Sequence, residues 1–406
     1  MESMTRITVL GGCGAVGSVA VRTLKELPDF DEIIIADINT EGAQTLADEL
    51  GGECTALEVN ALDPMSIKSV IKGSSVVLNC VGPFYRFGPP ILEAVIKSGI
   101  NYVDVCDDVE PTQALLAMDS QAKKANISAL IGMGSSPGVS NILVRFAANQ
   151  LLDQVDSIDI FHAHGGEPVE GAAVIAHRIH AMTSKIPMFL EGKERTVRFF
   201  DKQGIALREE VTFHKIGTHL CYPYPHPETI TLPNYIPCQR VTNKGTVLPD
   251  QYFNFIIKLV QLGITGENPI IVNGTPVTPR DFTIAYVIEE REKILKETKF
   301  GEQRGCVKIV VAGQKKGKPH QYVFSLWSIG QAMGEGTGIP AAIGATLLHR
   351  GKIPLKGVFP PEACVEPMEF LGVMQEYLKL DTVTGGSSPL LIQSIDAEGK
   401  VKELSI

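Results

Sequence analysis

Two rhythms of apolar residues divide the chain. Up to about residue 132, short apolar runs at 7–10, 32–36, 54–59, 75–81, 101–105 and 127–132 read as buried strands. Between them the apolar positions fall three and four apart. Val16, Val19, Ala20, Leu24 and Leu27 make one such face before Pro28, and Ala43, Leu46, Ala47 and Leu50 make a second. Ile67, Val70 and Ile71, then Leu92, Ala94, Val95 and Ile96, then the stretch 112–125 continue the series. These spacings predict helices. Strand and helix alternating six times predict a parallel sheet, with ligands beyond the carboxyl ends of its strands.

From about 155 to 330 the rhythm changes. Residues 155–164, 209–216, 306–311 and 321–328 read as strands, with Gly/Pro-rich loops between them. Helical stretches fall near 172–185, 249–262 and 279–295, but few follow a strand–helix alternation. The expected fold is therefore α/β: a Rossmann dinucleotide-binding domain with an inserted α+β substrate domain of mostly antiparallel sheet. Residues 339–348 form a small-residue helix with packing surface nearly all round, suited to burial against the first domain. The expected division is 1–132 plus 335–380, then 133–334, then a C-terminal extension at 381–406. That extension reads as a loop followed by a hairpin around Asp396-Ala397-Glu398-Gly399.

The first strand runs directly into Gly12-x-Gly14-x-x-Gly17 and a helix. In a dinucleotide-binding unit Gly12 would permit the tight turn and Gly14 the approach of a pyrophosphate. Gly17 would let helix pack on strand, and Ala15 and Val16 would offer helix-start amides to the phosphates. The second strand ends in Asp37, twenty residues after Gly17, where a carboxylate accepts bonds from the adenosine ribose. No Arg or Lys lies between Asp37 and Lys68 to welcome a 2′-phosphate, so the cofactor is read as NAD rather than NADP. Asn60 with Ala61 is placed beside the adenine, and Asp63 with Pro64 caps the next helix. Val81, Gly82 and Pro83 fall near the bridging phosphates and the nicotinamide ribose.

Composition narrows the field. The chain has 406 residues, a net charge of −9 and no basic run longer than Lys315-Lys316-Gly317-Lys318, which argues against nucleic acid as a partner. No stretch approaches the roughly 20 apolar residues that span a bilayer. The first strand starts at once, which leaves no room for a signal peptide, and the eight scattered cysteines never form Cys-x-x-Cys. A cytoplasmic protein with reduced cysteines is expected.

For chemistry, topology brings Tyr85, Asp107 and Asp108 to the ends of the fourth and fifth strands. A carboxylate there would bind the substrate amine and a phenol would hand protons to water. Alternatively Asp107 and Asp108 cap a helix after Pro111. His162 and His164 share a strand face, and His177 and His180 lie near one helical turn apart. No third ligand accompanies either pair, so no metal site is expected.

Three blocks carry a resemblance. They are Asn79-Cys80-Val81-Gly82-Pro83-Phe84-Tyr85, then Tyr102-Val103-Asp104, then Gly134-Ser135-Ser136-Pro137-Gly138-Val139-Ser140-Asn141. With Gly336-Thr337-Gly338-Ile339-Pro340, Gly351-Lys352-Ile353 and Gly357-Val358-Phe359-Pro360-Pro361-Glu362, they make most of 5–375 similar to the saccharopine dehydrogenase-like family. That group includes saccharopine reductase, lysine dehydrogenase and carboxynorspermidine dehydrogenase. The turn at 134–138 departs from the saccharopine reductase pattern and looks closer to lysine dehydrogenase. The resemblance implies that the chain returns to the cofactor domain after its insert, and that 165–184 lies in the substrate-binding segment. Arg178 would then hold the α-carboxylate of an amino-acid substrate (an ordinary surface arginine being the alternative), with His180, Ser136 and Lys244 as further contacts. The implied activity is NAD-dependent oxidation of a C–N bond of an amino acid, of the lysine dehydrogenase type, followed by hydrolysis of the imine. A homodimer is expected from the antiparallel sheet of the substrate domain, which often supplies a dimer face. An imine reductase of polyamine synthesis, an enoyl reductase or a non-catalytic NAD sensor would use the same scaffold.

Overall fold

In the computed structural model, which describes residues 4–167, 170–330, 333–380 and 389–404, the chain forms two units. The first takes residues up to Asp153, the short piece Asn234–Ile236 and the stretch from Met333. The second takes most of the residues between, and the C-terminal hairpin.

The first unit alternates strand and helix as its apolar rhythm predicts. Its strands are β1 (Arg6–Leu10), β2 (Glu32–Asp37), β3 (Cys54–Glu58), β4 (Val76–Asn79), β5 (Asn101–Asp104) and β6 (Ser128–Leu130). The intervening helices are α1 (Ala15–Glu26), α2 (Thr40–Leu50), α3 (Pro64–Val70), α4 (Phe84–Ser98), α5 (Val109–Leu116) and α6 (Asp119–Lys124). The strand Gly357–Phe359 joins at one edge, giving the order 357–359, β6, β5, β4, β1, β2, β3, all parallel. Both sheet faces are covered, so Val9, Ile34, Ile35, Val77 and Leu78 are all fully buried and the strands read as unbroken apolar runs. The strand order reverses between β1 and β4, the switch point at which such sheets bind ligands.

The small-residue helix is Met333–His349, longer at its start than the expected 339–348, and it packs on α1. A Cβ at Gly334 would lie 2.5 Å from the Ala15 carbonyl oxygen, and one at Gly338 2.7 Å from that of Val16. Only glycine fits this approach of two helices.

The expected boundary at 133 is displaced. Residues 133–153 stay with the first unit because α7 (Val139–Phe146) is bonded into it: Asn141 Nδ2 donates to Glu362 Oε2 at 2.8 Å, and Arg145 pairs with Glu366 at 3.2 Å. The C-terminal hairpin, Leu390–Ile395 and Val401–Leu404, is equally not a mere appendage, since its first strand extends the sheet of the second unit. Gly399 at φ +78° and Asp396, whose Oδ1 accepts from the Lys400 amide at 2.8 Å, form its turn. The loop expected before it, 381–388, lies outside the described residues.

The second unit contains β7 (Gln154–Gly165), α8 (Ala172–Thr183), β8 (Ile186–Leu190), β9 (Lys193–Val197), β10 (Glu209–Phe213), β11 (Gly217–Pro223) and β12 (Arg240–Leu248). A separate hairpin, β13 (Ile270–Val272) with β14 (Thr275–Val277), is followed by the helix Pro279–Glu297 and by β15 (Arg304–Lys315) and β16 (Lys318–Ile329). The large sheet runs β10, β11, β12, β7, β15, β16, then the C-terminal hairpin, with β8 beside β12 and β9 beside β8. It is mixed: β7 and β12 pair in parallel, and the other pairings are antiparallel. Ile175, Ile179 and Met182 of α8 pack with Tyr252, Phe253, Ile256 and Ile257 of the helix Asp250–Gln261 to form a core over it. Among the described residues no helix is long and apolar enough to cross a membrane.

Candidate functional site

At the switch point the chain leaves β1 through Gly11, whose φ of +72° favours glycine. The amides of Gly11 and Gly12 donate to the Ala36 carbonyl at 2.8 and 3.3 Å. The tight turn therefore rests on Gly11, one residue before the glycine expected to make it. Gly12 serves packing instead, since a Cβ there would lie 2.9 Å from Ile35 Cγ2. Gly14 is the N-cap of α1. A Cβ at Gly17 would sit 2.1 Å from the Gly11 carbonyl oxygen, which enforces the close packing expected of this position. Ala15, Val16 and Gly17 form the first turn of α1, where amides have no acceptor within the helix.

Asp37 ends β2 facing this turn. Its Oδ2 accepts from the Cys13 amide at 3.3 Å and its Oδ1 from the Asn39 amide at 3.0 Å. Each oxygen keeps a lone pair for a hydroxyl donor. The free first-turn amides, the exclusion of a side chain at Gly17 and this oriented carboxylate together fit a dinucleotide.

Asn60 is exposed and partly spent on its own turn. Its Oδ1 accepts from the Leu62 amide at 3.0 Å, and its amide donates to Ser66 Oγ at 2.9 Å. Ala61 packs half-buried against the core. Asp63 caps α3 as expected, accepting from the Met65 amide at 2.9 Å. At the end of β4 the Val81 amide donates to Asn79 Oδ1 at 3.0 Å, Gly82 borders open space and Pro83 caps α4.

The reactive candidates also lie at this edge. Tyr85, in the first turn of α4, is 73% exposed. Asp107 is exposed in the loop after β5, and Asp108 occupies the N-cap of α5 without a side-chain capping bond. That helix begins at Val109, so Pro111 lies inside its first turn; the expectation of a helix starting after Pro111 is corrected.

Just beneath lies a group that sequence reasoning quoted without singling out. Asp104 is fully buried, and its Oδ1 accepts from the amides of Cys106 at 3.0 Å and Gly132 at 2.8 Å. It thereby ties the loop carrying Asp107 to the loop that leads from β6 to Ser136. Burial pushes its carboxyl up to about 6, against the pull of the two amides and of the neighbouring Tyr102 hydroxyl. That hydroxyl accepts from Asn79 Nδ2 at 3.0 Å. A polar residue inside the apolar run 102–105 was the available signal. Ser136 is half-buried on the turn closed by the Gly134 amide, which donates to the Pro137 carbonyl at 2.9 Å.

The remaining candidates belong to the second unit, and there the charges are already paired. Arg178 is 3% exposed, with Nη2 at 2.6 Å from Glu170 Oε1. Glu170 is shared with Arg291 at 3.2 Å and accepts from the Tyr252 hydroxyl. Arg178 is thus a buried partner in an ion-pair network, rather than an open fork or an ordinary surface arginine. Glu170, Arg291 and Tyr252 were not anticipated, because Arg291 and Tyr252 come from distant segments and the eight-residue spacing of Glu170 from Arg178 does not by itself bring them together. Lys244, also buried, donates to Glu209 Oε2 at 2.6 Å. His180 faces outward, bonded to Ser184 Oγ at 3.0 Å, away from the buried side of α8 that holds Arg178.

The histidines gather around Tyr224. The His162 ring lies 5.0 Å from Tyr224 and 5.6 Å from His226, while His177 lies 6.4 Å from Tyr224. Burial pushes His162 well below the ordinary imidazole range, helped by His226 and His164. Burial would raise Glu167, but its bond to His164 at 3.1 Å and the nearby Arg178 bring it down to about 2. Pro168, in the same expected segment, lies outside the described residues. Among the described residues no three His, Cys, Asp or Glu are arranged to hold a metal ion.

Residues 7–130 match the Saccharopine dehydrogenase NADP binding domain, and residues 134–380 the Saccharopine dehydrogenase C-terminal domain. Carboxyaminopropylagmatine dehydrogenase of Synechocystis sp. is 24% identical over 396 residues, covering 92% of this chain and 96% of that protein. Carboxynorspermidine synthase of Vibrio cholerae is 23% identical over 410 residues, covering 91% and 96%. The fold is shared with apo saccharopine dehydrogenase (L-Glu forming) from Saccharomyces cerevisiae, at a TM-score of 0.68 over 99% of this chain and 100% of that one, with 16% identity.

Proposed function

The chain belongs to the saccharopine dehydrogenase family of NAD(P)-dependent oxidoreductases, and we propose that it acts on the secondary amine of a carboxylated polyamine, with NAD rather than NADP. The observation that carries the reading is the gathering of the glycine turn, the Asp37 carboxylate, Tyr85 and Asp107 at one sheet edge. The substrate class follows relatives whose names specify carboxyaminopropylagmatine and carboxynorspermidine, each a carboxylate joined to an extended amine. The lysine dehydrogenase type expected from the 134–138 turn shares the amino-acid end, but lysine ends in a primary amine with no further arm beyond it.

In this reading the amides of Ala15, Val16 and Gly17 receive the pyrophosphate, and Asp37 accepts from the ribose hydroxyls. Asn60 and Ala61 flank the adenine, while Val81, Gly82 and Pro83 border the nicotinamide side. When bound, the dinucleotide supplies the acceptor, or in reverse the donor, of the two electrons. Asp107 removes the proton from the substrate nitrogen, Tyr85 passes it to water, and Asp108 fixes the start of α5 beside them. Water added to the imine carbon then separates amine from carbonyl. Among the residues expected to contact the substrate carboxylate, Ser136 is half-buried and His180 exposed. Arg178 and Lys244 take part only by exchanging Glu170 or Glu209 for it.

Absorbance at the reduced-nicotinamide band tests the reading, with NAD or NADP against lysine, saccharopine, carboxynorspermidine and carboxyaminopropylagmatine. Reduction of NAD by a carboxylated polyamine is expected, and Asp107→Asn should lower kcat roughly 10²-fold with NADH affinity kept. Tight NADH binding without turnover of any substrate would sink the proposed activity. Turnover of lysine alone would return the enzyme to the lysine type.

A further inference from the structure

Along β12, which pairs with β7, successive residues face opposite sides of the sheet. Lys244 takes one side with its partner Glu209, and Asn243 and Gly245 take the other. The parallel register sets Gly245 against His162. A Cβ at Gly245 would lie 1.9 Å from His162 Cε1, so the imidazole occupies space that any larger residue would fill. The ring is thereby brought beside Asn243, which is fully buried.

Both groups keep polar atoms unmet. Among the described residues neither Oδ1 nor Nδ2 of Asn243 has a hydrogen-bond partner, and nor has the buried Nε2 of His162. A bond between the two would use one atom of each and still leave the other end of the carboxamide unmet. Unmet buried polar groups destabilise a fold, and an apolar residue of the same shape would not. Their presence here calls for a ligand that meets them.

The surroundings decide its charge. The Tyr224 amide donates to the Asn243 carbonyl at 3.0 Å, which brings Tyr224 and His226 beside the His162 ring. A phenol face attracts organic cations, and Asn243 Oδ1 and the neutral His162 ring carry lone pairs for their N–H groups. With the imidazoles uncharged, the ions bordering the rings are Glu167, Glu170 and Glu228 against Arg178 and Arg291, one carboxylate in excess. An anion would have to displace Glu170 from both guanidiniums. We propose that Asn243, His162 and Tyr224 form a recognition site in the second unit for an organic cation, the ammonium or guanidinium arm of the substrate amine. The assignment rests on the reading that the substrate is a carboxylated polyamine.

Agmatine and norspermidine carry such arms without a carboxylate. Each is titrated calorimetrically into the full chain at about pH 8, above the ordinary imidazole range, with propionate as the anionic control. Wild type is expected to bind an amine and not propionate, and Asn243→Leu to weaken that binding at least ~10-fold. The same variant should keep or raise the melting temperature, which loss of a structural asparagine would lower. Gly245→Ala, which denies His162 its place, should lose the amine as well. No amine binding by wild type, equal binding by Asn243→Leu, a lowered melting temperature in that variant, or propionate bound in place of the amines each overturns the site. Steady-state kinetics separates this from the substrate reading. Turnover of lysine alone, with amine binding that depends on Asn243, would leave the site standing and the polyamine substrate overturned. Turnover of a carboxylated polyamine with KM unchanged in Asn243→Leu would do the reverse.

Discussion

At the carboxyl edge of the parallel sheet, the groups open to a ligand are mostly main chain, whereas in the second unit they are charged side chains that have closed on one another. Amides in the first turn of α1 cannot pair among themselves, so they stay available whatever the surrounding sequence does. Two arginines and a glutamate held away from water cannot wait in the same way. Arg178, Glu170, Arg291 and the Tyr252 hydroxyl satisfy each other, as Lys244 does with Glu209 and His226 with Glu228. A ligand of the first unit adds bonds; one that recruits the buried charges of the second must exchange them. Exchange costs affinity but discriminates, since a partner that misplaces its charge leaves a buried arginine uncompensated.

The largest expected effect breaks the second region. Glu170→Ala leaves Arg178 and Arg291 buried without their shared carboxylate, and removal of one member of such a network costs about 3–5 kcal/mol. Urea unfolding of the second unit should show the loss, with NADH affinity unchanged because the proposed dinucleotide site is built from other residues. A loss below about 1 kcal/mol would mean that both arginines reach water on relaxation, and the contrast drawn above would fail.

A somewhat smaller effect is expected from a single methyl in the first region. Gly17→Ala drives a Cβ toward the Gly11 carbonyl oxygen, 2.1 Å away before relaxation, and displaces the turn that presents the amides. NADH affinity should weaken at least ~100-fold, or about 2.7 kcal/mol, in a fluorescence titration. The unfolding transition of the second unit should not move. An unchanged Kd would show that the dinucleotide does not depend on this turn.

The same contrast explains what could be read from sequence. Parallel strands buried on both faces leave continuous apolar runs, and the backbone site leaves glycines at fixed spacing with a carboxylate at the next strand end. The Rossmann unit and the surroundings of Asp37 were therefore legible. The one-residue shift of the tight turn from Gly12 to Gly11 was not, because adjacent glycines look alike until a backbone angle is known. In the second unit, strands and helices were legible from their periods, but partnerships were not. Nothing in the spacing of Glu170, Arg178, Tyr252 and Arg291 says that they meet. Arg178 was expected as an open fork although Glu170 lies only eight residues before it, because spacing alone does not show that the chain folds back to bring the two together. The early boundary at 133 has the same origin, since Asn141 is tied to the first unit by Glu362, far along the chain.

Asp104 sharpens the comparison, because there the first unit uses a buried side chain whose charge meets amides and, among the described residues, no paired cation. Its carboxyl is raised from 3.8 to about 6, chiefly by burial. Between these values the folded protein holds a proton that the unfolded chain has released. The group's contribution to stability is therefore greatest at low pH, declines as pH rises from about 4 to 6, and stays low above that. Asp104→Asn keeps an oxygen that can accept from Cys106 and Gly132 but cannot ionise. Relative to wild type, the variant should gain on the order of 2 kcal/mol between pH 4.5 and pH 8. The measurement is calorimetric, on the transition that NADH shifts, which marks the first unit. A difference flat with pH would mean that the Asp104 carboxylate is as well compensated as Glu170, and that the first unit too closes its buried charges.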